Sequence, residues 1–529
     1  MAKILVSDSL AQEGLNILED NGANEVVFKP DITPEDLVKE IGEYEALVIR
    51  SRTQVPEEVL EAGKKLKIVG RAGVGVDNVD IAAATERGII VANAPEGNTM
   101  STCEHAISLM MSLVRNIPEG DATMKAGKWD KKKLKGRELF GKTLGIIGLG
   151  KIGREVAQRM KAFGMVVWGA DPFVSSETAE KIGVALKSVD EIIEGADVIT
   201  IHTPKTPETN NLINMDALKK MKKTAFLINC ARGGIVNEED LPKALEAGEI
   251  AGAAIDVYST EPLADDHPLR QAPHLVLTPH LGASTAEAQE KVALQVAEQV
   301  VNCCKGGEVT TALNAPALNA DLLKQMKTTL NLSEKLGRFV VQMLDGRVTK
   351  LAVEISGSLL DFPTEPIRLS VMKGFLEHTT DKPVNFVNAE AKMKSLGIEV
   401  IETTSKSAKD YVSLQRVMAT TEDGKTISVS GTVFEPNRPR VVSVNALRFE
   451  MEPKGNIIML ENDDVPGVVG AVTTAVGNAN LNIGEISWGR DKQGGTAMTA
   501  ICLDSEAPAE IVDQIKKLDN IRSARIVKL

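Results

Sequence analysis

The chain has 529 residues, too many for one hydrophobic core and the length of three or four domains. With 43% hydrophobic and 25% charged residues it has the composition of a globular protein, and no apolar run approaches the roughly 20 residues that cross a bilayer. A net charge of −12 without any long Lys/Arg stripe argues against nucleic-acid or anionic-membrane partners, and a site for a small polyanion would need its own local cations.

The chain opens directly into a strand pattern, with no signal-peptide architecture, which argues against secretion. Its five cysteines lack CxxC or Cys/His metal spacing and read as reduced thiols of a cytoplasmic protein, with no metal site expected. Short apolar runs follow: KILVS from Lys3, EVVF from Glu25, ALVIR from Ala46 and KIVGR from Lys67. Each suits a buried parallel strand, and the helix pattern after Thr33, with Pro34 at its start, makes this a βαβ series. The apolar helix pattern CEHAISLMMSLVRNI, from Cys103, is read as a link to a second series.

That second series starts at Lys142 and gives strands TLGIIGL, MVVWGAD, ADVITIHTP, AFLINCARGG, GAAIDVY and LVLTPHLGAS. Each ends in a polar or glycine-rich turn, and ligands of doubly wound sheets bind beyond such strand ends. The pattern AEAQEKVALQVAEQVVNCCKGG is read as a helix crossing back to the first lobe. Residues 307–452 mix helix and strand patterns, and from Gly455 the order is βαββαβ, a ferredoxin-like unit. The expected fold class is therefore α/β: two doubly wound parallel-sheet lobes, an α+β intervening domain and a terminal ferredoxin-like domain. The expected boundaries are 1–98 with 288–306 for a discontinuous substrate domain, 99–287 for a dinucleotide domain, 307–452, and 453–529.

Gly148-Leu149-Gly150-Lys151-Ile152-Gly153 fits GxGxxG between a strand and a helix. Gly148 permits a tight turn, Gly150 close approach of backbone to a pyrophosphate, and Gly153 close helix–strand packing. Asp171, 18 residues after Gly153 at the next strand end, suits ribose hydroxyls and repels a 2′-phosphate, so NAD is expected rather than NADP. Gly73-Val74-Gly75 lacks a matching acid and is read as a backbone-donor loop over substrate.

Three strand-end turns carry Arg232, Glu261 and His280. Oxidation of a 2-hydroxy acid needs a base for the hydroxyl proton, which histidine supplies near neutral pH. A carboxylate such as Glu261 orients that imidazole, and arginine offers a planar fork for the substrate carboxylate. In the first lobe Arg50-Ser51-Arg52 and Arg71 end adjacent strands beside the Gly73–Gly75 loop. A phosphate with a carboxylate carries about three negative charges, so this cluster favours a phosphorylated substrate.

GLGKIG, NCARGG, DVYSTEP and PHLGAS together resemble the D-isomer-specific 2-hydroxyacid dehydrogenase family over about residues 1–306. The resemblance implies an NAD-dependent oxidoreductase with Arg232, Glu261 and His280 as the catalytic trio. It further implies that Val74, Lys151, Ile152, Thr203, Cys230, Asp256 and the His280–Ala283 turn, with Gly282, line the cofactor. His202 is expected beside it, while His105, His267, His274 and His378 lack such context.

VIRSRT, GRAGVGVDNVD, GNTMSTCEH and GKWDKKKLKGREL resemble the branch of that family that acts on D-3-phosphoglycerate in serine biosynthesis. The resemblance implies that Arg50, Ser51, Arg71, Gly73 and Gly75 hold substrate, and that Lys131, Lys132 and Lys133 approach a neighbouring subunit's site. It also implies a homo-oligomer, a tetramer or a dimer. The full length resembles the long form of that branch, with an intervening domain and an ACT domain. There Asn462, Asp464 and Asn482 would contact an effector such as L-serine, although serine-responsive relatives often carry His or Tyr where Asn462 stands. Arg438, Arg440 and Arg448 mark a cationic region of the intervening domain, read as solvated surface. The alternatives are a hydroxypyruvate or glyoxylate reductase, which needs neither the arginine cluster nor the extension, and an NAD-sensing corepressor, against which an ACT tail argues.

Overall fold

The computed structural model describes residues 1–316, 320–380 and 384–529. Its first sheet contains β1 (Lys3–Val6), β2 (Glu25–Phe28), β3 (Ala46–Ile49), β4 (Ile68–Arg71) and β5 (Ile90–Ala92), all parallel in the order β2-β1-β3-β4-β5. Continuous apolar runs form these strands because helices cover both faces. β5 adds to the expected four and is only three residues long. The helix Ala286–Cys304 returns to this sheet, with Val292, Val296 and Val300 in one core with Ile4, Val6, Val48 and Ile68. Gly70 permits that approach, since a Cβ there would lie 2.7 Å from the Val296 side chain.

The second sheet has seven parallel strands: β6 (Thr143–Ile147), β7 (Val166–Ala170), β8 (Ala185–Leu186), β9 (Val198–Ile201), β10 (Phe226–Asn229), β11 (Gly252–Ile255) and β12 (Leu275–Leu277). The order β12-β11-β10-β9-β6-β7-β8 reverses direction at β6, so a crevice opens beyond the carboxyl ends of β6 and β9. The helix Thr99–Val114, expected as a link between lobes, is an integral layer of this one. Its Cys103, Ala106, Leu109, Met110 and Leu113 share a core with Leu144, Ile146, Met160 and Ile228. Its apolar face is wide enough to demand burial along its length, which a bare connector could not provide.

The chain then forms a six-stranded mixed sheet of β13 (Val348–Gly357), β14 (Glu399–Ser405), β15 (Ser413–Thr421), β16 (Thr426–Phe434), β17 (Arg438–Val444) and β18 (Leu447–Met451). Only β13 and β14 pair in parallel. The helices Ala320–Gln342 and Glu365–Glu377 bury Leu336, Phe339 and Phe375 against it. Last comes an antiparallel sheet, β20-β21-β19-β22, of β19 (Asn456–Asp463), β20 (Ile483–Arg490), β21 (Thr496–Leu503) and β22 (Ile521–Lys528). The helices Val468–Asn478 and Ala509–Lys516 share its apolar core, which gives the expected βαββαβ order. Among the described residues no helix is long and apolar enough to cross a membrane.

Candidate active site

The glycine loop after β6 has the shape its spacing requires. Gly148 has φ +98 and a Cβ there would lie 2.5 Å from the His202 carbonyl oxygen. At Gly153 a Cβ would lie 2.0 Å from the Gly148 carbonyl oxygen, so only hydrogen lets this helix turn close on the loop. Gly150 differs, with nothing within 4 Å of a built Cβ. It caps the helix Lys151–Ala162 with no side chain bonded to the exposed N–H groups. Open space over uncapped amides is what a pyrophosphate needs, so these residues fit a dinucleotide.

Asp171 stands just beyond β7 and accepts from Leu149 N–H and Phe173 N–H, both at 2.9 Å, which fixes its carboxylate beside the loop. Lys151 pairs with Glu96 at 2.7 Å, and Ile152 packs partly buried against the core. Val74 has its carbonyl held by Asn93 at 2.6 Å, and the Thr203 hydroxyl donates to the Pro204 carbonyl. Cys230 is buried beneath this crevice; burial, then the Asp256 charge, pushes its thiol well above the ordinary range. It stays a neutral thiol. His202 donates or accepts through Nε2 with Thr200 at 3.0 Å, while its buried Nδ1 has no partner among the described residues.

His280 and Glu261, from the turns after β12 and β11, meet at 2.7 Å between Nδ1 and Oε2. The other Glu261 oxygen accepts from Tyr258 N–H at 3.1 Å. Burial alone would push the Glu261 carboxyl up, but the His280 and Tyr258 hydrogen bonds outweigh it and hold the carboxyl below its ordinary range. An ionised Glu261 keeps a proton on Nδ1 and leaves Nε2 as the nitrogen open to exchange. His280 itself has φ +55, in the left-handed region.

Arg232, after β10, donates from Nε to Asp77 in the first lobe at 2.9 Å. A Cβ on Gly75 would lie 2.1 Å from Arg232 Nη2, and one on Gly73 would lie 1.6 Å from Arg71 Nη1. Both guanidinium groups therefore lie directly on this loop. Arg71 donates to Ser51 Oγ at 3.0 Å, whereas its buried Nε finds no partner among the described residues. Burial, then the charges of Arg232 and Arg50, pull Arg71 down to about 10. Asn78, which sequence reading passed over, ties the loop to the β3 end by donating to the Arg50 and Thr53 carbonyls at 2.7 and 2.6 Å.

Arg52 turns elsewhere, onto Asp8 and the carbonyls of Ser7 and Pro30. Lys131, Lys132 and Lys133 are exposed. His105 was expected to lack context, yet it is hydrogen-bonded to buried Asp256 at 3.0 Å. Its partner lies 151 residues away in the chain, so the GNTMSTCEH motif that ends in it gives no sign of this contact.

The three residues expected to hold an effector do not come together in one chain. β19 and β20 both run antiparallel to β21, so Asn462, at the end of β19, and Asn482, just before β20, occupy opposite ends of the sheet. Asn462 is buried and bonded to Asp463 O and Thr499. Asp464 accepts from Arg490 and Gly494 N–H, and these bonds hold its carboxyl below the ordinary range. Asn482 donates to Asp504.

Three family models match the chain: the NAD binding domain of D-isomer specific 2-hydroxyacid dehydrogenases over 107–282, the D-3-phosphoglycerate dehydrogenase intervening domain over 325–445, and the ACT domain over 456–520. Fold and site together are those of an NAD-dependent dehydrogenase of the D-isomer specific 2-hydroxyacid class. Among solved structures, NAD-dependent formate dehydrogenase from Staphylococcus aureus in complex with NAD is 32% identical, with a TM-score of 0.53 over 58% of this chain and 96% of that one. D-lactate dehydrogenase from Escherichia coli is 29% identical, with a TM-score of 0.53 over 59% of this chain and all of that one. D-3-phosphoglycerate dehydrogenase of Archaeoglobus fulgidus is 43% identical over the whole of both chains, and that of Synechocystis sp. is 42% identical over all of this chain and 95% of the relative. The chain belongs to the D-3-phosphoglycerate dehydrogenase family.

Proposed function

We propose that the protein oxidises D-3-phosphoglycerate to 3-phosphohydroxypyruvate with NAD, the entry step of L-serine biosynthesis. The observation that carries the substrate is the convergence of Arg71, Arg50 and Arg232. Burial, then the charges of Arg232 and Arg50, pull Arg71 down to about 10, and its buried Nε has no partner among the described residues. A multivalent anion satisfies such a site, and a glyoxylate-sized substrate with one charge would leave it undercompensated.

In this reading Arg232 holds the substrate carboxylate, while Arg50, Arg71 and the Gly73–Gly75 loop hold the rest of the anion. NAD, when bound, supplies the acceptor for the hydride leaving C2. The Nε2 atom of His280 takes the hydroxyl proton as the carbonyl forms, and Glu261 opposite Nδ1 stabilises the resulting imidazolium. Gly148, Gly150 and Gly153 would seat the pyrophosphate and Asp171 the ribose. Val74, Lys151, Ile152, Thr203, Cys230, Asp256 and the turn through Gly282 and Ala283 would complete the cofactor's surroundings.

Labour is divided between a substrate domain of residues 1–98 with 288–306, a dinucleotide domain of 99–287, an intervening domain of 307–452 and an ACT domain of 453–529. The protein would work in the cytoplasm as a homo-oligomer, a tetramer or a dimer. Because Asn482 stands at the far end of the sheet, an L-serine site would draw Asn462 and Asp464 from one ACT unit and Asn482 from another. A serine titration to millimolar concentrations tests this, and an unchanged rate rejects it.

The substrate assignment is tested by steady-state turnover with 3-phosphoglycerate, glycerate and glycolate. A preference for 3-phosphoglycerate of at least about 100-fold in kcat/KM is expected, the sum of two charge-assisted contacts. Equal use of glycerate would reject it.

A further inference from the structure

We infer that His105 is a positioning residue for proton transfer, holding the His280 turn in place through Asp256. The inference rests on His280 being the proton-transfer group proposed above, and extends it to the helix Thr99–Val114.

His280 occupies a left-handed backbone conformation, which is strained for an L-residue and persists only where the surroundings impose it. The imposing group is Asp256, just beyond β11. Its Oδ1 accepts from Leu281 N–H at 2.8 Å and from the Thr278 hydroxyl at 2.5 Å, and its Oδ2 accepts from Gly282 N–H at 2.9 Å. These donors bracket His280 on both sides, and the His280 N–H itself reaches the Thr278 carbonyl at 3.0 Å. One carboxylate thus sets the path of the backbone that presents the imidazole.

A buried carboxylate needs donors on every side, and three of the four here come from the turn it shapes. The fourth is His105 Nε2, at 3.0 Å from Oδ1, on the helix Thr99–Val114. That helix grips the turn at two further points of the same face. The Thr102 hydroxyl donates to the Gly282 carbonyl at 3.1 Å, and Ser101 bonds Thr285 at 2.7 Å. His105 therefore ties the carboxylate to a rigid layer of the lobe, where the other donors would move with the turn. Because Asp256 is held ionised, the Nε2 facing it must carry a proton; a bare nitrogen there would repel the carboxylate.

The consequence is selective. Binding surfaces formed by other strand ends stay in place when His105 is lost, but the imidazole drifts from its reacting geometry. A misplacement of about 1 Å costs on the order of 100-fold in rate. His105→Leu is expected to lower kcat at least about tenfold, with KM for the hydroxy acid within about threefold. His105→Gln, whose amide N–H reaches the same carboxylate, is expected to restore most of the rate. Thr278→Val removes a second donor and is expected to give the same kcat-only loss, so the inference stays testable should His105→Leu fold poorly.

Wild-type kcat in both His105→Leu and Thr278→Val overturns the inference. So does equal damage in the Leu and Gln variants accompanied by raised KM and a lowered unfolding midpoint, which marks a packing residue. His280→Asn in the same assay separates the two assignments. If it retains turnover, the proton-transfer reading falls; if it is inactive while the His105 variants match wild type, only the brace falls.

Discussion

Arg232 of one lobe donates to Asp77 of the other at 2.9 Å, across the crevice between the two parallel sheets. The Asp77 carboxylate is mostly exposed, so the pair is a weak one, worth up to about 1 kcal/mol. It also competes with any substrate carboxylate for the same guanidinium. Asp77→Asn is therefore expected to lower KM for 3-phosphoglycerate by up to about fivefold while kcat stays within twofold. A raised KM would mean that Asp77 orients Arg232 and does not compete for it.

Arg71 carries the clearest mark of an anion site, since burial and two neighbouring arginines lower it while its Nε has no partner among the described residues. Arg71→Ala should cost about 1.5–3 kcal/mol in kcat/KM with 3-phosphoglycerate, the range of a charge-assisted hydrogen bond. Turnover of unphosphorylated glycerate should fall much less. An equal loss on both substrates would place the Arg71 contact on the carboxylate and not the phosphate.

Much of this site could be seen in the sequence because its parts sit at strand ends, where the order of elements dictates position. Gly148 and Gly153 are legible since the tight turn and the close helix–strand approach each demand one glycine, while Gly150 follows from the motif's spacing alone. Glu261 and His280 are legible since successive parallel strands deliver their turns to one edge of the sheet. What stayed hidden depends on contacts between distant segments. His105 looks like any polar residue on an amphipathic helix until its partner 151 residues away is in place. Asn78 resembles a failed glycine motif, yet it locks the loop to the Arg50 carbonyl. The three residues of β5 are too few to show a period. Asn482 shares a sheet with Asn462, but strand direction, invisible in a motif, sets them at opposite ends.

Glu261 lies opposite Nδ1 of His280 and is held ionised, so it serves the imidazolium formed in the transition state more than the neutral ring. Glu261→Gln keeps an acceptor of similar shape but removes the charge. A fall in kcat of about 100-fold or more is expected, with KM for NAD little changed. A loss confined to KM would assign Glu261 to binding.

Asp171 has its carboxylate fixed by Leu149 and Phe173 N–H groups, beside the loop that would seat the pyrophosphate. A fixed negative charge there disfavours a 2′-phosphate by more than a mobile one would. Asp171→Ser should raise kcat/KM for NADP at least about tenfold while lowering that for NAD. Unchanged discrimination in this variant would move the selection elsewhere.

His202 ties stability of the second lobe to pH. Burial lowers its ring to about 4 from an ordinary 6.5, because Nδ1 is sealed from water and an imidazolium there would be desolvated. The unfolded chain therefore takes up a proton below about 6.5 that the folded chain refuses until about 4, so stability falls as pH drops through that window. Between pH 7.5 and 5 the loss should be on the order of 2 kcal/mol from this residue alone. The acidic groups Asp256 and Glu261 are lowered in the fold, so their contribution is lost further down the scale, as pH falls below the ordinary carboxylate range. Trp168, at the centre of β7, reports the unfolding of this lobe by fluorescence once Trp488 of β20 is replaced by Phe. Urea midpoints of the ligand-free protein at pH 7.5 and 5 should converge for His202→Asn relative to wild type. Parallel slopes for the two proteins would show that the ring is protonated as readily in the fold as outside it.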